Sequence, residues 1–171
     1  MNYIHCTQKL LQEIKAPVTD LKDLSPDNSG LGNWYCNLFR FNRRKCLIFT
    51  NELTLYTFFI YGVMKNDIES LPELFSKNLA LNLKQSRIDD RIIEKILEKY
   101  TEIGFCKTAN KSVLGSMNDF VRHFTFRLAD VRELTESEIF FASYTSNEIP
   151  MGALKYRYPV EVLKDLIAER F

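Results

Sequence analysis

Several familiar chemistries are missing from this chain of 171 residues. Its six glycines stand singly, so no glycine-rich loop is present to cradle a phosphate. The two histidines, His5 and His123, are far apart, and neither H-x-x-x-H nor H-E-x-x-H occurs, which removes the usual zinc hydrolase signatures. Cys6, Cys36, Cys46 and Cys106 form no C-x-x-C pair, so a zinc ribbon or dithiol redox centre has no basis. Each lies in an apolar run and reads as a buried, reduced thiol. No metal and no cofactor is expected. Charge bias is also lacking: 23 Lys plus Arg oppose 22 Asp plus Glu, a formal net charge of +1. Such a balance gives no global field for nucleic acid or acidic membrane. No apolar run approaches the roughly 18 residues needed to cross a bilayer. The opening "MNYIHCTQKLL" has neither the charged start nor the apolar core of a secretion signal. A cytoplasmic protein with no membrane partner is expected.

What is present reads as one ordinary globular domain over residues 1–171, with 46% apolar, 26% charged and 13% aromatic residues. The aromatic share favours a substantial sheet. "NYIHC" is a short strand, and Thr7 can cap a short helix carrying Leu10, Leu11 and Ile14. Residues 17–33, "PVTDLKDLSPDNSGLGN", collect turn formers and read as a loop, long enough to suggest a lid or partner-binding segment.

Residues 34–62 hold three runs of strand formers, "WYCNLFRF", "RKCLIFT" and "LTLYTFFIYG", separated by the turns "NR" and "NE". They predict an antiparallel meander. With two-residue turns, Phe41 faces Arg44 and Thr50 faces Leu53. That register puts Cys36 opposite Phe49 and Cys46 opposite Phe39, on opposite faces of the sheet; a three-residue first turn would reverse this. "CLIF" is apolar at consecutive positions, so the middle strand should be covered on both sides.

After Gly62 the period changes. Ile68, Leu71, Phe75, Leu79 and Leu83 share one helical stripe, with Pro72 tolerable only near a helix start. Ile92, Ile93, Ile96, Leu97 and Tyr100 mark a second helix opened by Asp89 and Asp90. "IGFCKT" predicts a last strand. From about Ser112, Val113, Leu114, Met117, Phe120, Val121, Phe124 and Leu128 form an apolar band, with Ser116, Asp119, His123 and Arg127 on the far side. Another helix runs to about Asn147, and Pro159 suits the first position of the final one.

Three clusters are candidates for function. Asp119 with His123 and Asn118 with Arg122 are four apart, near Ser116, so an Asp could orient a His there. On one regular helix these side chains diverge, and a helix surface with i,i+4 pairs is the plainer account. Gly115 in that helix implies a close approach by backbone or ligand. The hairpin tip supplies Arg40, Arg43, Arg44 and Lys45 with Phe41 among them, cations for phosphates and an aromatic for stacking. Trp34, Tyr35 and Asn37 follow the long loop, with Asn51 and Glu52 in the second turn, and there Trp34 could wall a ligand pocket; more often such a Trp plugs a core.

The blocks "LGNWYCN", "NELT", "GSMND" and "PMGAL" extend over nearly the whole chain. In them the chain resembles an uncharacterised bacterial family, a domain of unknown function. That resemblance implies a small cytoplasmic bacterial protein, lends no catalytic residue, and draws attention to Gly115, Ser116, Asn118 and Asp119. The expected fold is α+β, an antiparallel meander sheet with helices mainly on one face and the 113–128 helix closing its buried side. Three functions are expected to compete: a non-enzymatic interaction or regulatory module using residues 17–33 and the adjoining sheet edge, with a protein partner; nucleic-acid binding through residues 40–45; and an enzyme with a pocket near Trp34, Asp119 and His123.

Overall fold

Strand formers at the start of the chain make β1 (Asn2–Cys6), followed by the single turn α1 (Gln8–Leu11). The computed structural model describes residues 1–171. Thr7 precedes α1 without capping it; its hydroxyl instead donates to Asn37 Oδ1 at 2.8 Å. Residues 17–33 are less irregular than their composition implies. They contain β2 (Val18–Thr19) and a 3-10 turn at Leu21–Asp23, and Ser29 and Leu31 are fully buried.

The meander then follows as β3 (Trp34–Phe41), β4 (Arg44–Asn51) and β5 (Thr57–Tyr61). Its first turn has Asn42 and Arg43 at φ 47° and 62°, the left-handed pair that suits a two-residue hairpin. Phe41 pairs with Arg44, Phe39 with Cys46 and Cys36 with Phe49, so Cys36 and Cys46 lie on opposite faces. The second turn departs from expectation: Thr50 pairs with Thr57, not Leu53. Asn51 is the reason, because its Oδ1 accepts from the backbone N–H of Leu53 (3.1 Å) and Thr54 (3.0 Å) and from the Thr54 hydroxyl (3.0 Å). This side-chain turn takes up residues that the pattern assigns to the strand.

The chain continues as α2 (Lys65–Glu69), α3 (Leu71–Gln85), α4 (Asp90–Glu98), β6 (Ile103–Lys107), α5 (Lys111–Arg127), α6 (Glu136–Ser146) and α7 (Pro159–Arg170). Ile68, Leu71, Phe75, Leu79 and Leu83 are all buried, as their stripe requires. The expected single helix there breaks at Ser70, which leaves Pro72 in the first turn of α3.

Sheet order is β2-β6-β1-β3-β4-β5. The fold is α+β, but the sheet is mixed: β1 runs parallel to both β3 and β6, and β2 is parallel to β6. The antiparallel expectation therefore holds only for the meander. Parallel neighbours need a crossover of a dozen or more residues, and residues 7–33 supply one between β1 and β3. That is a structural reason for the long connection.

Helices cover both faces, not mainly one. Cys36, Leu38, Leu47, Phe49 and Phe58 pack with α3, α4 and α7. Phe39, Phe41, Cys46, Ile48 and Phe59 pack with α5 and α6. The Val113–Leu128 helix closes only the second face. Consecutive apolar residues in β4 demand this arrangement, since burying Cys46 to Phe49 requires cover above and below.

Candidate functional site

The sheet separates the residues expected to share a pocket. Trp34 is 1% exposed on the α3 side, where its indole N–H donates to the Tyr100 hydroxyl at 3.0 Å and Phe58 and Phe75 flank its ring. Asp119 and His123 lie on α5, across the sheet. Tyr35 belongs to the α5 face, stacked on His5 with ring centroids 4.7 Å apart. Asn37 is engaged by Thr7. Trp34 thus plugs a core and walls no cavity with Asp119 and His123.

On α5 itself Ser116 is buried, which corrects its placement on the outer side. Asn118, Asp119, Arg122 and His123 are exposed, and Asp119 pairs with Arg122 rather than orienting His123. Nothing lies within 4 Å of where a Cβ on Gly115 would stand, so no close approach explains that glycine. Asp119, Arg122 and His123 do meet Ile149–Gly152 at an open cleft of about 460 Å³, where the "GSMND" and "PMGAL" blocks come together. No Ser, Thr, Cys or Lys lines that cleft. All four thiols are buried, and desolvation raises Cys46 to about 11 and Cys106 to about 12. No group of three or more His, Cys, Asp and Glu could hold a metal.

Tyr35, Asn51 and Glu52 of the third cluster do meet, in a polar hub completed by Asn33 and Asn110, which the sequence pattern does not indicate. The Glu52 carboxylate accepts from Asn33 Nδ2 (2.9 Å) and Asn110 Nδ2 (3.1 Å). Asn110 also caps α5, its Oδ1 accepting from the N–H of Ser112 and Val113, while its own N–H donates to the Tyr35 hydroxyl (3.3 Å). Burial, reinforced by Glu52, pushes Tyr35 up to about 12. Asn51 Nδ2 adds a bond to the Leu31 carbonyl (2.9 Å). The "LGNWY" and "NELT" blocks therefore serve to lock the long connection onto the sheet and onto the start of α5. His5 sits against this hub, 4% exposed, with neither ring nitrogen hydrogen-bonded. Loss of hydration lowers its pKa below 6.5, outweighing the opposing attraction of the Glu52 carboxylate. No spacing rule adds residues 5, 33 and 110 to Tyr35 and Glu52, so only the fold could have shown the complete hub.

The two sheet edges differ sharply. At the β5 edge, α6 supplies the missing hydrogen bonds: Asn147 Oδ1 accepts from the Thr57 N–H (2.8 Å), Asn147 Nδ2 donates to the Thr57 carbonyl (2.7 Å), and Ser143 Oγ accepts from the Phe59 N–H (3.0 Å). Ser143 and Asn147 are four apart, so one helix face reaches alternate residues of the strand. At the other edge β2 pairs with only Phe105 and Cys106, and no further strand pairs with it. Val18 is 42% and Leu21 44% exposed there. Both border a cleft of about 360 Å³ with Thr19, Asp20, Lys22 and Lys107.

The hairpin cations do come together. Arg40, Arg43, Arg44 and Lys45 line one cleft of about 290 Å³, joined by Lys65, which the sequence reading left out. Phe41 does not accompany them. It is buried edge-on against Phe124 and cannot stack on a base.

No helix is long and apolar enough to cross a membrane. The family model of the domain of unknown function DUF6933 matches residues 3–162, and the chain belongs to that family. No curated protein and no solved structure matches it.

Proposed function

We propose that this DUF6933 protein is a non-enzymatic interaction module that takes a protein partner at its open sheet edge, through β2 and the adjoining segment up to residue 28. The difference between the two edges carries this reading. An exposed strand edge is a template for pairing with another chain, and folded proteins normally cover or blunt it. This protein covers one edge with a helix and leaves the other short, bare and flanked by apolar side chains. An extended segment of a partner would add beside β2, its main chain supplying affinity and the Val18–Leu21 cleft reading alternate side chains. Residues 29–33 take no part, because Ser29 and Leu31 are fixed in the core. Four buried thiols with no disulfide suit a reducing compartment such as the cytoplasm.

The test is selection of binding peptides from a displayed library, followed by NMR mapping of their contacts. Amide shifts are expected to concentrate at residues 17–24 and 103–107. The double variant V18E/L21E should fold normally and lose at least about tenfold in affinity, the order expected when apolar anchors are replaced by charge. Shifts centred on another surface, or unchanged affinity in the variant, would overturn the proposal.

A further inference from the structure

We infer that the hollow beside the β3–β4 hairpin is a binding site for a compact polyphosphate, a small ligand carrying two or more phosphate groups at short spacing. This site is separate from the β2 edge, since β6 and β1 stand between β2 and the β3–β4 pair. Arg40 and Lys45 face each other directly across the antiparallel pair, a placement that by itself opposes strand pairing. The Val63 N–H donates to the Lys45 carbonyl at 2.9 Å, which holds the 62–65 turn against the hairpin and brings in Lys65 from a different segment. Five cations thereby border one cleft of about 290 Å³, and no carboxylate lines it.

Ion pairing elsewhere does not account for them. The molecule has five salt bridges, and only the one between Lys45 and Glu13 involves this group. Arg40, Arg43, Arg44 and Lys65 remain unneutralised in a chain whose formal net charge is +1. A tip charged only for solubility carries its cations on a convex surface with both signs interspersed. Here cations from two segments converge on a hollow. Guanidinium groups offer paired N–H donors that match phosphate oxygens, and lysine adds point charge.

The surroundings select a compact ligand over a nucleic-acid strand. Single-stranded nucleic acid is held by aromatic platforms as well as by charge, and no aromatic side chain lines this cleft. The adjoining hollow, which shares Arg44 and Gly62, is of mixed sign, with Asp130 and Glu133 beside Arg132. A polyanion that continued in that direction would leave a lining that is cationic throughout for one that also carries carboxylates. A short phosphate chain fits inside the cationic part and meets neither obstacle.

The experiment is isothermal titration of the full chain with tripolyphosphate and with ATP at low salt, repeated on R40Q, R44Q and K95Q. Lys95 is an exposed cation of α4 outside the cleft, so K95Q removes the same unit of charge from elsewhere. Tripolyphosphate is expected to bind, with R40Q and R44Q each weakening it about tenfold, the loss typical of one charge-assisted contact. K95Q should bind as the parent does, and thermal melts should show all variants folded. Tighter binding of ATP than of tripolyphosphate would identify a nucleotide ligand, and equal binding a bare phosphate chain; both support the site. Absence of binding at millimolar tripolyphosphate would overturn it. So would equal weakening by K95Q, or retention of a DNA duplex by a protein that ignores tripolyphosphate.

Discussion

The antiparallel end of the sheet and its parallel end solve the same problem in opposite ways. Both terminate in a strand with unpaired main-chain groups. At β5 the helix α6 satisfies those groups with Ser143 and Asn147, and both side chains are buried in doing so. At β2 the solution is brevity, two residues of strand and then a turn. A sealed edge is a structural element that can be broken only by unfolding pressure. An open edge contributes little to stability and is free to take a partner.

The largest effect that would test this comparison comes from Asn147. Replacing it with Ala removes both bonds to Thr57 and the bond to the Ser143 carbonyl (2.9 Å), and leaves buried main-chain groups unsatisfied. Loss of about 3 kcal/mol in urea unfolding is expected, because each orphaned buried polar group costs about 1–3 kcal/mol. A loss below 1 kcal/mol would mean that water replaces the seal and that the edges are not truly different. Ser143→Ala is the next in size. Its hydroxyl accepts from the Phe59 N–H and donates to the Ile139 carbonyl, and about 1–2 kcal/mol should disappear.

Acid probes the parallel half. His5 lies on β1, and its pKa is lowered by burial. The unfolded chain therefore binds the proton more readily than the folded one. The His5 contribution is fully present above the unfolded value of 6.5, and it is lost as pH falls from there through the lower folded value. A single proton limits the slope to about 1.4 kcal/mol per pH unit. Hydrogen exchange at pH 5 should open β1 and β6 before β4 and β5, and His5→Phe, which keeps a ring against Tyr35, should abolish the difference. Simultaneous opening of all strands would remove the distinction between the halves.

The smallest effect belongs to the open edge. Val18→Glu should change stability by no more than about 0.5 kcal/mol, as expected for an exposed site. A loss above 1 kcal/mol would show that β2 is part of the framework and not a free surface.

The legible parts of this molecule are those held by local spacing. The stripe from Ile68 to Leu83 and the band from Val113 to Leu128 are helices because the same faces recur every three or four residues. The β3–β4 register was legible on condition of a two-residue first turn, and the left-handed pair Asn42-Arg43 met that condition. The direction of β1 and β6 was not legible. Five-residue strands with cover on both sides show no alternation, and nothing in "NYIHC" or "IGFCK" says which neighbour each will take. The candidate pocket failed for a related reason: residues 34 and 123 sit on opposite sides of a sheet whose two-sided cover the pattern hinted at only in "CLIF". Ser116 failed by its angle, lying closer to the apolar band than the spacing of its neighbours implied.

Hydrophobic period and turn chemistry, both confined to a few residues, were enough to determine most of the strands and helices, though not β2, the break at Ser70 or the turn before β5, and where the cations of the hairpin lie. The order of the sheet, the helix that seals β5, the His5–Glu52 hub and the meeting of Lys65 with Arg40 were decided by tertiary structure alone. Those features depend on contacts such as Thr57 with Asn147, 90 positions apart, and local spacing carries no information over such a distance.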